Sequence, residues 1–304
     1  MKSAFVGILG RPNVGKSTLL NSILGEKIAI TSDKPQTTRN AIRGIYTRVE
    51  AKEDGAKEPT AQLVFIDTPG IHKPKNKLGD YMTSTSLSTM NEVDVILFLV
   101  DSKPEGANSG DAFILNKLKT VDTPKILVIN KIDKIEPDDF AQIYNYYEAL
   151  GMFDAIIGTN ALSGKNVDVL LDALVEKAEE GPMFFPEDMV TDHPERFLVS
   201  EIIREKLLMY LDEEVPHGVA VEIEQYEEEG RLTRIGAAIY CEKQSHKGII
   251  IGKEGKKIKG IGKAARLEIE ALLGCKVYLE LFVKVKERWR ESVVAISNFG
   301  YSKD

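Results

Sequence analysis

Residues 10–18 have the types and spacing that bind a nucleoside triphosphate. The stretch reads Gly10, Arg11, Pro12, Asn13, Val14, Gly15, Lys16, Ser17 and Thr18. Its two glycines allow successive backbone N–H groups to point into one concavity and meet phosphate oxygens. The lysine offers a positive charge to the β- and γ-phosphates, and the serine hydroxyl can bind the magnesium ion that bridges them. The pattern therefore predicts a P-loop, with a helix-capping glycine turn as the alternative.

A polar, turn-rich segment over residues 31–39 carries the threonines that a nucleotide switch needs. Such a loop orders around magnesium and the γ-phosphate when a nucleoside triphosphate is bound. We assign the magnesium ligand to Thr38 rather than Thr37, because Thr38 directly precedes Arg39. A plain connecting loop is the alternative interpretation of this segment.

A carboxylate ends the next buried strand of the sequence. The motif reads Asp67, Thr68, Pro69 and Gly70, and Ile71 follows it. At the carboxyl end of a parallel strand, Asp67 can hold a magnesium-bound water, while the backbone N–H of Gly70 can contact the γ-phosphate. Ile71 occupies the position where Ras-like enzymes place a water-orienting glutamine, so we expect slow intrinsic turnover.

Residues 130–133 predict which base is bound. Asp133 can accept two hydrogen bonds from guanine, Asn130 can brace the neighbouring loop, and the stem of Lys131 can cover the ring face. Adenine lacks the N1–H and exocyclic donors of guanine and would leave the carboxylate unpaired. Farther along the chain, the backbone N–H of Ala161 can reach guanine O6. The predicted ligands are therefore GTP and GDP.

Apolar runs predict the strands of this domain, and four of the five runs end at one of the motifs. The runs cover residues 4–9, 63–66, 93–100, 125–129 and 155–158, with segments of helical spacing between them. This alternation is typical of a P-loop α/β domain with a doubly wound, mostly parallel sheet. An acidic stretch over residues 50–59 is predicted to be an exposed hairpin turn.

The composition is that of an ordinary globular protein of 304 residues, 43% of them hydrophobic and 29% charged, with a net charge of −7. No apolar run approaches the roughly 18 residues of a membrane-spanning helix, and the N-terminus lacks the apolar core of a signal peptide, so we expect a cytoplasmic protein. Cys241 and Cys275 have apolar neighbours, which favours buried thiols over a disulfide. The histidines lack metal-ligand spacing, which argues against a zinc site.

A change in composition after residue 180 predicts a second domain. Residues 181–196 lack periodicity and are predicted to be a linker between a domain over residues 1–180 and one over residues 197–304. The C-terminal part reads as helix, strand, strand, helix, Gly-Lys-Glu-Gly loop, helix and strand. This order is typical of an α+β type II KH domain, whose glycine loop clamps the backbone of single-stranded RNA. Gly260 and Gly262 in the following helix indicate close backbone packing or ligand approach.

The second domain concentrates positive charge in an acidic protein. Residues 243–290 contain thirteen basic residues against five acidic ones. The predicted RNA-binding residues are Lys247, Gly252, Lys253, Glu254, Gly255, Lys256, Lys257, Lys259, Lys263 and Arg266. A solvated basic face is the alternative. Trp289 and Tyr301 could stack on bases, but packing is the preferred interpretation.

These motifs, in this order, resemble those of a known family. GRPNVGKS, QTTR, DTPG, NKID and the segment over residues 159–165 are similar to the five signatures of translation-factor-class GTPases, and they cover residues 1 to about 180. Joined to a type II KH domain, they resemble the Era family of bacterial GTPases over nearly the whole chain. One departure is Asn160, because the fifth signature usually reads Ser-Ala.

The resemblance implies an enzyme that hydrolyses GTP with Mg²⁺ and binds the 3′ region of 16S ribosomal RNA as a single strand. It further implies a role in maturation of the small ribosomal subunit, a monomer, and loose association with the inner face of the cell membrane. Asn13 matches the P-loop asparagine that helps to bind K⁺ in potassium-stimulated relatives. The residues expected to act in catalysis are Asn13, Lys16, Thr38 and Gly70.

Two other functions remain as alternatives. One is an RNA-binding chaperone whose nucleotide pocket is only structural, and it would need damaged phosphate motifs. The other is a tRNA-modification or membrane-associated GTPase, and it would need a modification domain or spanning helices. The phosphate motifs are intact and the sequence carries neither of those additions, so both alternatives rank below the Era-like interpretation.

Overall fold

The computed structural model describes residues 1–52, 55–101, 103–104 and 106–302 of the chain. Its contacts divide the chain into two compact units that are interleaved in sequence. The first unit comprises Met1–Ala29, Thr38–Lys73 and Met82–Asp192, and the second comprises Ile30–Thr37, Pro74–Tyr81 and His193–Asp304. The boundaries drawn from the sequence at residues 180 and 197 stay a prediction, because the two units do not divide the chain at one point.

The first unit is built on one sheet. Its strands are β1 (Lys2–Gly10), β2 (Ile42–Ala51), β3 (Lys57–Asp67), β4 (Val95–Val100), β5 (Lys125–Ile129), β6 (Ala155–Gly158) and β7 (Glu179–Glu180). Its helices are α1 (Lys16–Leu24), α2 (Lys77–Thr89, of which residues 77–81 belong to the second unit), α3 (Ser109–Leu118), α4 (Pro137–Glu148) and α5 (Val167–Lys177).

The strand order of this sheet is β2-β3-β1-β4-β5-β6, and β7 pairs with the start of β1. Every pair from β3 to β6 along this order is parallel, whereas β2 and β7 are antiparallel to their neighbours. Strands β4 and β5 are buried along their whole length, as expected for parallel strands covered on both faces. The predicted doubly wound, mostly parallel sheet is confirmed.

Two parts of this sheet differ from the sequence-based interpretation. The acidic stretch over residues 50–59 is not all turn, since β2 runs to Ala51 and β3 begins at Lys57; residues 53 and 54 lie outside the described residues. The strands extend into the stretch because their polar side chains lie on exposed sheet edges and need no apolar pattern. Strand β7 was not predicted, because its two glutamates pair with Lys2 and Ser3 through main-chain groups alone.

The second unit has its own three-stranded sheet. Its elements are α6 (Glu195–Tyr210), β8 (Ala220–Glu229), β9 (Leu232–Cys241), α7 (Gln244–Ile251), α8 (Lys256–Leu273), β10 (Lys276–Val285) and α9 (Val293–Asn298). The sheet order is β10-β9-β8, with β10 parallel and β8 antiparallel to β9. The alternate residues Val277, Leu279, Leu281, Val283 and Val285 pack into the core formed with α6 and α8. The predicted element order of a KH domain is confirmed.

The C-terminal aromatic residues are packing residues. Trp289 is fully buried, and its indole Nε1–H donates to the carbonyl oxygen of Gly218 at 2.8 Å. Tyr301 is only 6% exposed and stacks on Trp289, with ring centroids 6.1 Å apart. The preferred interpretation of these two side chains is therefore confirmed, and the idea that they stack on bases is wrong. Both cysteines are free thiols, with Cys241 buried and Cys275 half-buried.

The loop over residues 30–37 packs within the second unit. The backbone N–H of Thr31 donates to Glu205 Oε1 at 2.9 Å. The guanidinium of Arg204 donates to the carbonyl oxygen of Thr37, and the Lys34 ammonium donates to the carbonyl oxygen of Leu211. The predicted loop is therefore anchored to α6 and to Leu211, the residue that caps the C-terminus of this helix. Among the described residues, no helix is long and apolar enough to cross a membrane.

Candidate functional site

The P-loop connects β1 to α1 and depends on glycine at both ends. Gly10 has φ 154°, and a Cβ there would lie 2.5 Å from the carbonyl oxygen of Leu99. Gly15 has φ 105°, and a Cβ there would lie 2.2 Å from Asn130 Nδ2. Both positions therefore exclude a side chain on steric and conformational grounds. Helix α1 begins at Lys16 without a capping side chain, which leaves its first N–H groups available to phosphate oxygens.

The ammonium of Lys16 lies inside this loop. Its Nζ donates to the carbonyl oxygens of Gly10 at 3.2 Å and Arg11 at 3.0 Å. Burial lowers the pKa of Lys16 to about 8, although the charge of Asp67 acts in the opposite direction. A buried cation with two neutral carbonyl partners is poised to gain from a phosphate anion.

Three oxygen-bearing side chains converge at the start of α1. The Ser17 hydroxyl donates to Asp67 Oδ2 at 2.6 Å, and the Ser17 and Thr38 hydroxyl oxygens are 2.8 Å apart. Thr37 instead donates its hydroxyl to the carbonyl oxygen of Lys34, so the structure brings Thr38 and not Thr37 to this cluster. The sequence-based choice between the two threonines agrees with this geometry.

This cluster fits a magnesium ion. Asp67 is fully buried, and its second oxygen, Oδ1, has no hydrogen-bond partner among the described residues. Burial raises the pKa of Asp67 to about 6, and Lys16 and the two hydroxyls only partly oppose the shift. A buried carboxylate with an unsatisfied oxygen beside two hydroxyls is the oxygen-only donor set that Mg²⁺ prefers.

The residues after Asp67 close the site against the P-loop. A Cβ on Gly70 would lie 2.6 Å from the backbone nitrogen of Pro12, so only glycine fits there. Thr68 is buried and donates its hydroxyl to the carbonyl oxygen of Ile8 at 2.7 Å. Ile71 is only 1% exposed and lies in the apolar core, with its backbone N–H on the carbonyl oxygen of Gly10. Its side chain cannot orient a water molecule.

The guanine motif follows β5 and meets the P-loop. Asn130 is buried; its Nδ2 donates to the carbonyl oxygen of Val14 at 2.8 Å, and its Oδ1 accepts from Thr159 at 3.2 Å and from the backbone N–H of Ala161 at 3.0 Å. Asn130 therefore ties the P-loop to the segment after β6. Asp133 is exposed, as a carboxylate that receives a base must be. The side chain of Asn160 accepts from the backbone N–H groups of residues 162 and 163, so the departure from Ser-Ala gives a local turn.

Two carboxylates beside the P-loop were missed by sequence reasoning. Asp101 accepts from Arg11 Nη2 at 2.7 Å and from Lys131 Nζ at 2.9 Å. Asp111, on α3, accepts from Arg11 Nε at 2.8 Å. Burial lowers the pKa of Arg11, but the two carboxylates outweigh that effect and raise it. The signal for Asp101 was present, because it follows the apolar strand β4 as Asp67 ends β3.

The Gly-Lys-Glu-Gly loop in the second unit joins α7 to α8. Gly252 has φ 70°, and a Cβ there would lie 2.7 Å from Lys257 Cβ, so a larger residue would displace the helix start. Glu254 has φ 54° and Gly255 has φ 71°, which makes the turn tight. The side chains of Lys253, Glu254 and Lys256 reach solvent, and α8 begins without a side-chain cap.

A groove of about 470 Å³ lies between α8 and β10. Its lining residues are Ile258, Lys259, Gly262, Lys263, Arg266, Leu279 and Leu281. Three of the predicted RNA-binding residues therefore line one groove, beside an apolar floor. Lys247 lies half-buried on α7 and is not among the lining residues. Gly260 packs against Tyr210, where a Cβ would lie 3.0 Å from the ring, which explains the glycine in a helix.

Comparisons with known proteins agree with both halves of this description. The model of a 50S ribosome-binding GTPase matches residues 5–131, and that of a KH domain matches residues 214–290. The GTPase Era of Alkaliphilus oremlandii is 55% identical over 302 residues, which cover 99% of each chain. The chain belongs to the Era family of GTPases. The enzyme therefore hydrolyses GTP, and the two alternative functions are not supported.

Solved structures of Era proteins have the same fold over the full length. The crystal structure of a point variant of Aquifex aeolicus Era bound to GDP and AlF₄⁻ is 41% identical, with a TM-score of 0.92 and complete coverage of both chains. An Era structure in complex with MgGDPNP and nucleotides 1506–1542 of 16S ribosomal RNA is also 41% identical, with a TM-score of 0.91 and complete coverage. The chain thus resembles these Era structures over its whole length.

Proposed function

We propose that this Era-family GTPase is a GTP-dependent switch that binds the 3′ region of 16S ribosomal RNA and assists assembly of the small ribosomal subunit. The observation that carries the proposal is the groove between α8 and β10, with basic side chains beside an apolar floor. Single-stranded RNA needs both, because phosphates attract cations while unstacked bases need apolar contacts. The complex of a 41% identical Era with nucleotides 1506–1542 of 16S ribosomal RNA supports the choice of RNA.

We propose that the nucleotide is held by the residues predicted from the sequence. The Lys16 ammonium and the backbone N–H groups of residues 10–18, except Pro12, which has none, bind the phosphates. Asp133 selects guanine, and the backbone N–H of Ala161 is shared between guanine O6 and Asn130 Oδ1, to which it donates at 3.0 Å. Ser17, Thr38 and Asp67 would hold Mg²⁺, and the bound ion would supply positive charge beside the transferred phosphoryl group. The backbone N–H of Gly70 donates to the γ-phosphate. When the γ-phosphate leaves after hydrolysis, this hydrogen bond is lost and the segment after Gly70 is released.

A group other than the side chain of Ile71 must activate the attacking water, because that side chain is apolar and buried. We propose that Asn13 helps to bind K⁺ beside the phosphates and so supplies the positive charge that an arginine finger gives other enzymes. Asn13 is exposed at φ 66° in the P-loop, where its side chain is accessible. Turnover should be faster in KCl than in NaCl, and Asn13→Ala should remove the difference; equal rates in the two salts contradict this role.

The RNA assignment is tested by reversing charge in the exposed loop. Lys253→Asp combined with Glu254→Asp should weaken binding of a single-stranded 16S 3′ fragment while GTP binding is unchanged, because carboxylates would face the phosphates. Lys57→Asp makes a similar charge change at an exposed position of the first unit and serves as the control. Filter binding with the 16S fragment and a large-subunit RNA fragment of equal length measures both affinity and preference.

Two outcomes of that experiment would contradict the proposal. Unchanged affinity in the loop double mutant would mean that RNA is held elsewhere. Equal or tighter binding of the large-subunit fragment would assign the protein to the other ribosomal subunit, in line with the name of the GTPase family model.

We further propose a cytoplasmic monomer that associates loosely with the inner face of the cell membrane. The basic region over residues 243–290 supports this, because anionic lipid attracts clustered lysines by about 1 kcal/mol for each residue near the surface. Co-sedimentation with vesicles of anionic phospholipid should show binding that salt reverses. Binding to neutral vesicles of equal strength, or none to anionic ones, contradicts the proposal.

A further inference from the structure

Asp101 joins two parts of the nucleotide site that are far apart in sequence. Its Oδ1 accepts from Arg11 of the P-loop at 2.7 Å, and its Oδ2 accepts from Lys131 of the guanine motif at 2.9 Å. Each oxygen of one carboxylate therefore has its own cationic partner. Charge-assisted hydrogen bonds of this kind are stronger than neutral ones. The side chain of Asp101 is 27% exposed, so solvent weakens the bridge without removing it.

The Arg11 end of the bridge is itself fixed. Arg11 Nε donates to Asp111 Oδ1 at 2.8 Å, and the Asp111 side chain is fully buried. Asn108, which caps α3, donates to the other oxygen of Asp111 at 2.8 Å. A Cβ on Gly110 would lie 2.5 Å from Arg11 Cδ, so the arginine stem fills the space that this glycine leaves. Arg11 thus gives Asp101 a rigid support.

The Lys131 end of the bridge is the end that would meet the base. Lys131 has φ 61°, and its ammonium also donates to the carbonyl oxygen of Asn13 at 2.6 Å. The ammonium is therefore held between a carboxylate and a P-loop carbonyl. When the head of a lysine is fixed at two points, its methylene stem loses rotational freedom and presents one face.

We propose that Asp101 is a positioning residue that fixes the stem of Lys131 over the guanine ring and so slows nucleotide release. This inference rests on the ring-covering role of Lys131 in the function proposed above. Asp101 acts through Lys131, and its hydrogen bonds go to Arg11 and Lys131 rather than to Ser17, Thr38 or Asp67. Its effect therefore falls on how long the nucleotide stays bound, and hydrolysis of bound GTP is little changed.

The test measures dissociation of a fluorescent GDP from the full-length protein by stopped flow. Asp101→Asn should accelerate dissociation about fivefold, as expected for a partly exposed charge pair, while single-turnover hydrolysis changes less than about twofold. Asp101→Glu retains the carboxylate and should retain most of the slow dissociation. Asp172→Asn removes an exposed ion pair with Arg48 of similar length, 2.7 Å, and should change neither rate.

Lys131→Met completes a double-mutant cycle, because methionine keeps an apolar stem without the ammonium. If Asp101 acts through Lys131, the combined variant dissociates about as fast as Lys131→Met alone. If the rate increases caused by the two single substitutions multiply in the combined variant, Asp101 acts independently of Lys131 and the inference is overturned. An unchanged rate in Asp101→Asn beside a faster rate in Lys131→Met overturns the inference alone. An unchanged rate in Lys131→Ala, which removes the stem, overturns the proposed role of that lysine as well.

Discussion

Gly70 is a residue at which the main chain after β3 packs directly against the P-loop. A Cβ there would lie 2.6 Å from the backbone nitrogen and 2.7 Å from the Cα of Pro12, and backbone atoms cannot rotate away. We expect Gly70→Ala to reduce GTP hydrolysis by at least about tenfold, because a displacement of about 1 Å at a reacting group is costly. GDP affinity should change much less, since Asp133 and Lys16 are untouched.

Single-turnover hydrolysis and calorimetric GDP binding measure the two parts of this prediction. Gly248→Ala is the matched control, because a Cβ there meets no atom within 4 Å and the residue lies in α7. Full hydrolysis by Gly70→Ala would show that the γ-phosphate does not depend on this close approach.

We expect Asp67, as a proposed magnesium ligand, to make magnesium binding depend on pH. Burial raises its pKa to about 6, from an ordinary value of 3.8, so near pH 6 about half of these carboxyls carry a proton. Without the ion, this burial favours the folded protein only at low pH, and the benefit is lost as pH rises through about 6. Magnesium binds the ionised form, so its stabilising effect should be large at about pH 8 and small at about pH 5.

The measurement is the rise in melting temperature that MgCl₂ causes in the GDP complex across this pH range. Asp67→Asn cannot titrate and should show a small rise with little dependence on pH. A rise in the parent protein that is equal at the two ends of the range would mean that Asp67 is ionised throughout.

At the scale of single elements, apolar runs predicted the buried strands well. Strands β4 and β5 have no polar face, so a continuous run such as residues 125–129 marks them directly. Strand β7 and the hairpin ends of β2 and β3 were not predicted, because they are polar and pair through main-chain groups. Every residue has such groups, so this pairing leaves no pattern in the sequence.

The same division holds for the site. Motif spacing located Lys16, Asp67 and Asn130, since each motif follows a strand that the sequence reveals. Asp101 was missed because a single carboxylate after an apolar run has no distinctive spacing, and Asp111 was missed because it lies in α3, outside any recognisable motif. Their importance comes from Arg11, whose partners lie about a hundred residues away and become neighbours only when the sheet forms.

The buried side chain of Trp289 is expected to contribute strongly to the stability of the C-terminal elements. Its side chain is fully buried, donates to the carbonyl oxygen of Gly218, and packs against Phe299 with ring centroids 5.2 Å apart. We expect Trp289→Ala to lower the free energy of unfolding by about 3–5 kcal/mol, through the cavity and the lost hydrogen bond. Trp289→Phe should cost less, because the aromatic packing is partly kept.

Chemical denaturation of the variants measures this cost, and RNA binding by the folded Trp289→Phe variant provides the second readout. Affinity for single-stranded RNA should be unchanged, because the ring is inaccessible. A large loss of affinity in a folded Trp289→Phe variant would restore the stacking role that the structure contradicts.

At the scale of the whole molecule, the uneven distribution of charge governs how the protein meets RNA. The chain carries a net charge of −7, while residues 243–290 carry a surplus of basic residues. Such an arrangement repels polyanions from most of the surface and attracts them to one region. Affinity for RNA should therefore fall steeply with salt, in proportion to the number of phosphates that contact lysines and arginines.

Lys256 tests this relation because its side chain is 75% exposed at the start of α8 and pairs with the carboxylate of Glu254, which is 67% exposed. Lys256→Ala should weaken binding of all single-stranded RNAs to a similar degree and reduce the salt slope by about one unit. Filter binding across a KCl series gives the slope. An unchanged slope would place Lys256 outside the phosphate path, and loss of affinity for one sequence alone would assign it to base contacts.

The loop over residues 30–37 is held in the second unit through its own main chain. Glu205 accepts from the N–H of Thr31, and Arg204 donates to the carbonyl of Thr37. Peptide groups are common to every residue type, and only proline would remove the N–H. Mutations can therefore accumulate at positions 31 and 37 over evolutionary time without breaking these two anchors. Arg204 and Glu205 have no such freedom, because their side chains are the hydrogen-bond partners of these two main-chain groups.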